Sequence, residues 1–460
     1  MQDLVLFRII YADETHKNKN MNRKITPMMA VMAISSLTLS CSSSENTEEE
    51  LEKTKGVVNM VTEPQPITLT EEQQVFAHDN NQFTLNFLKT VSEADRSGKS
   101  FIYSPLSITY VLGMVNDAAI GYTEQELEQS LGFHKGGIKA VNDYCKKLID
   151  GLPKADKNVT LDIANAIFVN QKYTLIPQFE QDMKDYYNAK AEALDFSSPQ
   201  TLRHINGWCN DKTKGMIPEI LDKVKPDMVS YLLNAIYFKA DWATKFDTDN
   251  TKNETFTTET STKTLPMMHQ NVLISYLKTN TYSAVILPYS TGLWNMTVLL
   301  PEKGVSTDDL IKEVAQSSVL NNPGWCGTEG NVFQGHQVDL KLPRFETTSD
   351  TDKLNVDKGL VGLMKNMGIK LVFDSDFAEI PNMCDNSNLY ISMMRQKAKI
   401  MVNEEGSEAA AVTVAGGNCT TSLGPSEYPK ATFHANRPFV YVISEASSGV
   451  ILFVGKFTGE

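Results

Sequence analysis

At 460 residues, 41% hydrophobic and 22% charged, the chain has ample apolar mass for a globular core. Its formal net charge of −13 argues against nucleic acid as a partner, because that role needs a basic face. Six cysteines with no C-x-x-C pair and no metal-type spacing argue against a disulfide framework and a zinc module.

Met21-Asn22-Arg23-Lys24 is a short positive stretch, and Ile25 to Leu39 is a mostly apolar run too short to cross a bilayer as a mature helix. Ending in Leu37-Thr38-Leu39-Ser40-Cys41, it resembles a bacterial lipoprotein signal, in which the cysteine at the cut is lipidated. Leu39 departs from that pattern, which places a small residue there, and an ordinary signal with a chance cysteine is the other reading. The expected organisation is an upstream mis-start over 1–20, a signal peptide over 21–40, a tether lipidated at Cys41 over 41–70, and one domain over 71–460. Glu48-Glu49-Glu50 and the lack of any aromatic residue from Ser42 to Val75 make the tether acidic and extended. The implied location is extracellular or at the outer-membrane surface, with membrane contact only through the lipid.

Beyond the tether, helical and strand patterns alternate without repeats. Phe83, Phe87, Leu88 and Val91 have the spacing of a buried helix face. Ser104-Pro105 reads as an N-cap with proline at the first helical position, followed by the stripe Leu106, Val111, Leu112, Val115. Leu161, Ile163, Ile167 and Val169 predict a strand, and Tyr231 to Phe238 predicts one covered on both faces. Val338, Leu340 and Leu342 alternate as in a strand. Leu354, Leu360, Leu363 and Met364 read as one more helix, and Phe439–Ser444 with Val450–Phe457 as a hairpin. The sum is a mixed α+β domain. Cys145, Cys209, Cys326, Cys384 and Cys419 read mostly as small buried hydrophobes.

Several segments carry a family likeness. They are Phe101-Ile102-Tyr103-Ser104-Pro105-Leu106-Ser107, Ala164-Asn165-Ala166-Ile167-Phe168-Val169, Lys212-Thr213-Lys214-Gly215-Met216-Ile217 and Asn234-Ala235-Ile236-Tyr237-Phe238-Lys239 with Trp242 downstream. Phe433-His434-Ala435-Asn436-Arg437-Pro438-Phe439 and Gly455-Lys456 complete the series. In this order and at these separations, residues 76 to 460 resemble a serpin. The resemblance implies three β-sheets, about eight or nine helices and an exposed reactive-centre loop over about 404–432. It also implies an irreversible inhibitor, in expectation a monomer, that forms a covalent complex with a target serine protease and uses no cofactor or metal.

Val402 to Thr413 resembles the hinge of inhibitory serpins: Glu404, Glu405, Gly406, Ser407, Glu408, Ala409, Ala410, Ala411 and Thr413. If the stretch becomes a strand, Ser407, Ala409, Ala411 and Thr413 share one face, and every side chain on it is small and uncharged. Such a face slips between strands already in place, whereas a lysine or arginine there would bury a charge. Gly406 gives a permissive backbone at the turn. Taken without its surroundings, the same stretch also reads as an Ala-rich linker or helix. Inserting a dozen residues adds about that many ladder bonds at ~1 kcal/mol each, on the order of a domain's whole stability. The trapping mechanism itself is the family's and is carried over with the resemblance.

Counting sixteen residues on from Glu404, as the family does, places the cut between Thr420 and Thr421, with Cys419 and Leu423 as alternatives. Counting back from Phe439 points instead near Tyr428. Threonine at the cut, and no Lys or Arg between Gly406 and Pro429, suit an elastase- or subtilisin-like enzyme. The resemblance further places Ser104, Ser107, Asn234 and Gln396 in a network controlling sheet opening, with Trp242 at the top of the main sheet. Gln396 stands where inhibitory relatives often have histidine. No G-x-S-x-G, H-E-x-x-H, phosphate loop or dinucleotide fingerprint occurs, so the chain reads as a non-enzyme. The rival is a non-inhibitory serpin acting as a binding or chaperone-like surface protein.

Overall fold

The computed structural model describes residues 63–95, 97–317, 320, 332–385, 389–407 and 428–460. Its elements, in chain order, are α1 (Glu71–Ala94), β1 (Phe101–Tyr103), α2 (Pro105–Ala118), α3 (Gly121–Leu131), α4 (Gly137–Gly151), β2 (Val159–Asn170), α5 (Pro177–Tyr187), β3 (Lys190–Leu194), α6 (Pro199–Lys212), β4 (Ser230–Asp241), β5 (Lys252–Thr257) and β6 (Thr262–Lys278). There follow β7 (Tyr282–Tyr289), β8 (Trp294–Pro301), α7 (Thr307–Gln316), β9 (Gln334–Pro343), β10 (Phe345–Asp350), α8 (Leu360–Asn366), β11 (Met394–Val402), β12 (Gly406–Ser407), β13 (Lys430–His434), β14 (Phe439–Glu445) and β15 (Ile451–Phe457).

Local chemistry starts the first helices where the sequence indicates. Thr70 and Gln73 form a reciprocal capping box at α1. Ser104 caps α2 by accepting from Ser107 N, with Pro105 in the first turn. Every residue of α2 except Asp117 is buried, because α1, α4 and α5 cover one side and β4 and β15 the other.

A six-stranded sheet runs β10-β11-β12-β4-β2-β3. A nine-stranded sheet runs β1-β15-β14-β8-β7-β6-β9-β13, with β5 also on β6. The long strand β6 pairs β7 through Ser275–Lys278 and β9 through Met267–Tyr276, so one strand joins two sections into a single ladder. The three expected sheets are thus present as two hydrogen-bonded ones, with eight α-helices among the described residues. β4 is buried on both faces: β2 lies beside it, and Phe196, Ile205, Ile217 and Ile220 cover one side.

Two expectations need correction. The helix read from Leu354 starts only at Leu360. Lys358 (φ 59°) and Gly359 (φ 54°) turn the chain, and a Cβ on Gly359 would lie 2.7 Å from Thr351 O. The tether read over 41–70 gives way to packed chain before its end. Gln65 N donates to Ala155 O at 2.8 Å, Ile67 N donates to Ser447 Oγ at 2.7 Å, and Ile67 and Leu69 are buried. Two apolar side chains are enough to seat this stretch, Ile67 against the bare backbone of Gly151.

Candidate functional site

The strands that matter are β11 and β4, which run parallel at the centre of the six-stranded sheet. They pair directly only through Met394–Leu232, Arg395–Leu233 and Gln396–Asn234. At the other end of this seam β12 sits between them, with Ser407 opposite Val402 on one side and Ala240 on the other. The first two residues of the alternating stretch therefore already occupy a central-strand position.

The base of this wedge is firmly held. Asn403 Oδ1 accepts from Glu405 N at 3.0 Å and Gly406 N at 3.2 Å, which closes a tight turn. Glu404 is buried, with Arg344 Nε donating to one of its oxygens at 3.1 Å and Arg344 Nη2 to the other at 2.5 Å. Thr251 Oγ1 donates to Glu404 Oε1 at 2.6 Å. Burial alone would raise the Glu404 carboxyl, but Arg344 and Thr251 outweigh it and hold the group below the usual glutamate range. Lys245 bridges Glu405 at 2.5 Å and Asp241 at 3.0 Å, tying the turn to the end of β4.

Trp242 packs against the hinge turn. Its Nε1 donates to Asn403 O at 2.9 Å and its backbone N to Glu405 O at 2.8 Å. Its ring stacks on Tyr289 at 4.4 Å and 8°. The Tyr289 hydroxyl lies 2.7 Å from Ser407 Oγ and is buried, which pushes its ionisation upward. The sequence reading missed Tyr289, Arg344 and Thr251, since each lies far from the hinge in the chain. Gly406 does more than permit a turn. At φ 158° a Cβ on it would lie 2.1 Å from Ala240 O, so only glycine lets the wedge approach β4 this closely.

The expected network is only partly assembled. Gln396, buried on β11, accepts from Ser104 N through Oε1 at 2.9 Å and donates from Nε2 to Ser104 O at 2.9 Å. Ser104 Oγ donates to Leu452 O at 2.7 Å and lies 3.1 Å from Ser107 Oγ, which can donate to it. Asn234 is level with Gln396 but bonds elsewhere, its Nδ2 donating to Asn165 Oδ1 at 2.8 Å. Asn165 is level with it on β2 and was legible as the only polar residue within Ala164–Val169. The buried Asn234 Oδ1 and Asn165 Nδ2 are left unpaired, a local cost at the middle of the seam.

Glu408, Ala409, Ala410, Ala411, Thr413, Cys419, Thr420, Thr421 and Leu423 lie outside the described residues, as do Cys41 and Cys326. The chain returns at Tyr428, which is 47% exposed, and enters β13, in parallel register with β9. There Asp339 accepts from His269 Nε2 at 2.6 Å and His434 Nε2 at 2.9 Å. Burial opposes ionisation of Asp339, but the two histidines outweigh it and hold its carboxyl low. Cys145, Cys209 and Cys384 are buried thiols, and burial pushes Cys145 up to about 12. Among the described residues no group of His, Cys, Asp or Glu is placed to hold a metal ion.

A family model described as Serpin (serine protease inhibitor) matches residues 78–459. Neuroserpin of Gallus gallus is 30% identical over 375 residues, which cover 79% of this chain and 87% of that protein. Leukocyte elastase inhibitor of Homo sapiens is 30% identical over 387 residues, 82% of this chain and 98% of that protein. Among solved structures, the thermophilic serpin tengpin in the native state aligns with a TM-score of 0.72 at 25% identity, over 86% of this chain and 96% of its own. Thyroxine-binding globulin in complex with thyroxine aligns at 0.69 and 27%, over 83% of this chain and 98% of its own.

Proposed function

Because the chain belongs to the serpin family, we propose that it is an irreversible inhibitor of serine proteases, trapping the acyl-enzyme by drawing its cleaved loop into the seam between β11 and β4. One observation carries this reading: Gly406 and Ser407 are already seated between those strands. The residues that would follow Ser407 on the same face are Ala409, Ala411 and Thr413, none of which would bury a charge. The proposed cut is at Thr420–Thr421, with Cys419 and Leu423 as alternatives, and an elastase- or subtilisin-like enzyme is the proposed target. The relationship to a leukocyte elastase inhibitor supports that preference. Leu37 to Cys41 supports a lipid-anchored location at a bacterial surface.

Thyroxine-binding globulin, solved in complex with thyroxine, shows that the scaffold also serves in ligand binding. The small hinge face favours inhibition over that role. The deciding experiment mixes the protein with an elastase-type protease and seeks a complex that survives boiling in SDS. Ser407→Arg is expected to be cleaved without trapping, since a buried guanidinium beside Tyr289 would have no partner. A variant that inhibits as well as the parent would sink the insertion mechanism.

A further inference from the structure

The strand β13 lies at the end of the nine-stranded sheet, where it pairs with β9 alone. Phe433 and Ala435 are buried beneath it, and Lys430, Thr432 and His434 stand on its other face. That face carries a group of titratable side chains with no part in the trapping chemistry. Asp339 on β9 stands between His269 on β6 and His434 on β13. His269 Nε2 lies 2.6 Å from Asp339 Oδ1, and His434 Nε2 lies 2.9 Å from Asp339 Oδ2. One carboxylate thus ties three neighbouring strands together through side chains. All three residues are half-buried, while Val338, Leu340 and Leu342 are buried on the opposite face of β9.

The charges around this group are otherwise matched. Lys341 on β9 is level with both histidines, and Glu254 on β5 accepts from its Nζ at 2.7 and 2.8 Å. Lys252, also on β5, donates to the backbone O of Asp249 at 2.7 Å, on the turn packed against β6. Lys430 is level with Gln337, two residues along β9 from Asp339. β7, which also touches β13, brings no lysine, arginine, histidine or carboxylate. The charge facing Asp339 is therefore set by its two histidines. Histidine is the side chain that changes charge between pH 5 and 8. Burial opposes ionisation of Asp339, but the histidines hold its carboxyl low, so it stays charged throughout that range. A neutral ring can donate to it, and an imidazolium donates through a stronger, charge-assisted bond. One proton on the pair is bound with a gain, whereas a second meets the first imidazolium and Lys341.

Position gives the group a consequence. The described chain leaves β12 at Ser407 and resumes at Tyr428, two residues before β13. An uncut loop cannot extend β12 far along the seam while its other end is fixed on β9, so β13 must come away first. We propose that His269, Asp339 and His434 form a clasp on β13 that protons tighten, prolonging the life of the uncut inhibitor as pH falls from 8 to 6. The inference about lifetime rests on the trapping reading above.

The test follows hydrogen exchange of the full protein by mass spectrometry at pH 8 and pH 6, with each rate taken relative to its intrinsic rate at the same pH. Amides of β8 serve as the internal control. In the parent, protection of Lys430–Ala435 relative to β8 is expected to rise about threefold to fivefold at pH 6. His434→Gln keeps a donor for Asp339 but cannot take up a proton, and Asp339→Asn removes the charge that attracts one. Both should show no rise, with thermal midpoints measured to confirm folding. Intact protein is then stored at each pH and titrated at one common pH against an elastase-type protease. The parent should lose inhibitory activity several-fold more slowly at pH 6, and His434→Gln at equal rates. No rise in the parent, or an equal rise in His434→Gln, would overturn the clasp. A rise in protection with equal storage lives at the two pH values would overturn its hold on the loop. A parent that shows the rise yet traps no protease would sink the trapping reading and leave the clasp on the strand standing.

Discussion

At Gly406 a missing side chain sets how far the hinge enters the sheet. A methyl group there collides with Ala240 O at 2.1 Å, so Gly406→Ala should expel β12. The expected result is more cleavage per protease trapped, read as a raised stoichiometry of inhibition, with a fall of about 1–3 kcal/mol in native stability. Glu404 makes a different claim about the same turn. Its carboxyl is held below the usual glutamate range in the folded chain. Stability from such a group is present above the unfolded pKa and is lost as pH falls through the folded one. Protection of the Asn403–Ser407 amides from hydrogen exchange, with each rate taken relative to its intrinsic rate at the same pH, should therefore fall below about pH 4 in the parent. In Glu404→Gln that protection should be low already at neutral pH and change little with acid. Gly406 and Ser407 stand in β12, and the small alternating side chains that follow them in sequence fall outside the described residues. Arg344, Thr251 and Tyr289 were not legible in sequence, because pairing across a fold leaves no local spacing to read.

Elements were legible where one periodicity ran uninterrupted. The strand Tyr231–Phe238 and the capped helix after Ser104 emerge as β4 and α2 for the reasons their sequences indicate. Leu354 was misread because its apolar spacing continues across Gly359, whose backbone breaks the helix. The offset of Asn234 toward Asn165 depends on strand register, which sequence does not display. Packing between helices hides a further consequence. Tyr187 O–H donates to Asn142 Oδ1 at 2.6 Å, and Asn142 Nδ2 donates to Asp117 Oδ1 at 2.6 Å, which links α5, α4 and α2. Burial lifts Asp117 from 3.8 to about 6, with Asn142 opposing and Asp182 adding repulsion. A carboxyl whose folded pKa is raised binds its proton more tightly in the native state. Its effect is then to lower stability as pH rises from about 4 to 6, and to keep it lower above that. Asp117→Asn preserves an acceptor for Asn142 and removes the titration. Its stability at pH 7.5 should exceed the parent's by about 1–2 kcal/mol after allowing for partial solvent screening. At pH 4 the two should agree, as denaturant titrations at both pH values would show.

For the whole molecule, the seam is an unfinished ladder. Two residues of β12 occupy its open end, three pairs close the other, and Gln396 bonds the closed end to Ser104 at the start of α2. Filling the seam would add about a dozen ladder bonds, some 10 kcal/mol at ~1 kcal/mol each. The opposing terms are displacement of the three Met394–Gln396 pairs and adjustment around Asn234, whose Oδ1 already lacks a partner. On the trapping reading, three pairs against a dozen would leave a large surplus, and connectivity would hold the uncut form, since β12 lies in one sheet and β13 in the other. Cutting the loop anywhere between those anchors should release the surplus. A protease that nicks near Thr420 without being retained should give a product whose thermal midpoint lies on the order of 10–20 °C above the intact protein's. Ser407→Arg, cut at the same bond, should gain far less, because its first inserted side chain would carry a charge into the space beside Tyr289. Equal midpoints for cut and intact parent would mean that the wedge at Gly406–Ser407 is a resting place for the hinge and not the first step of a strand.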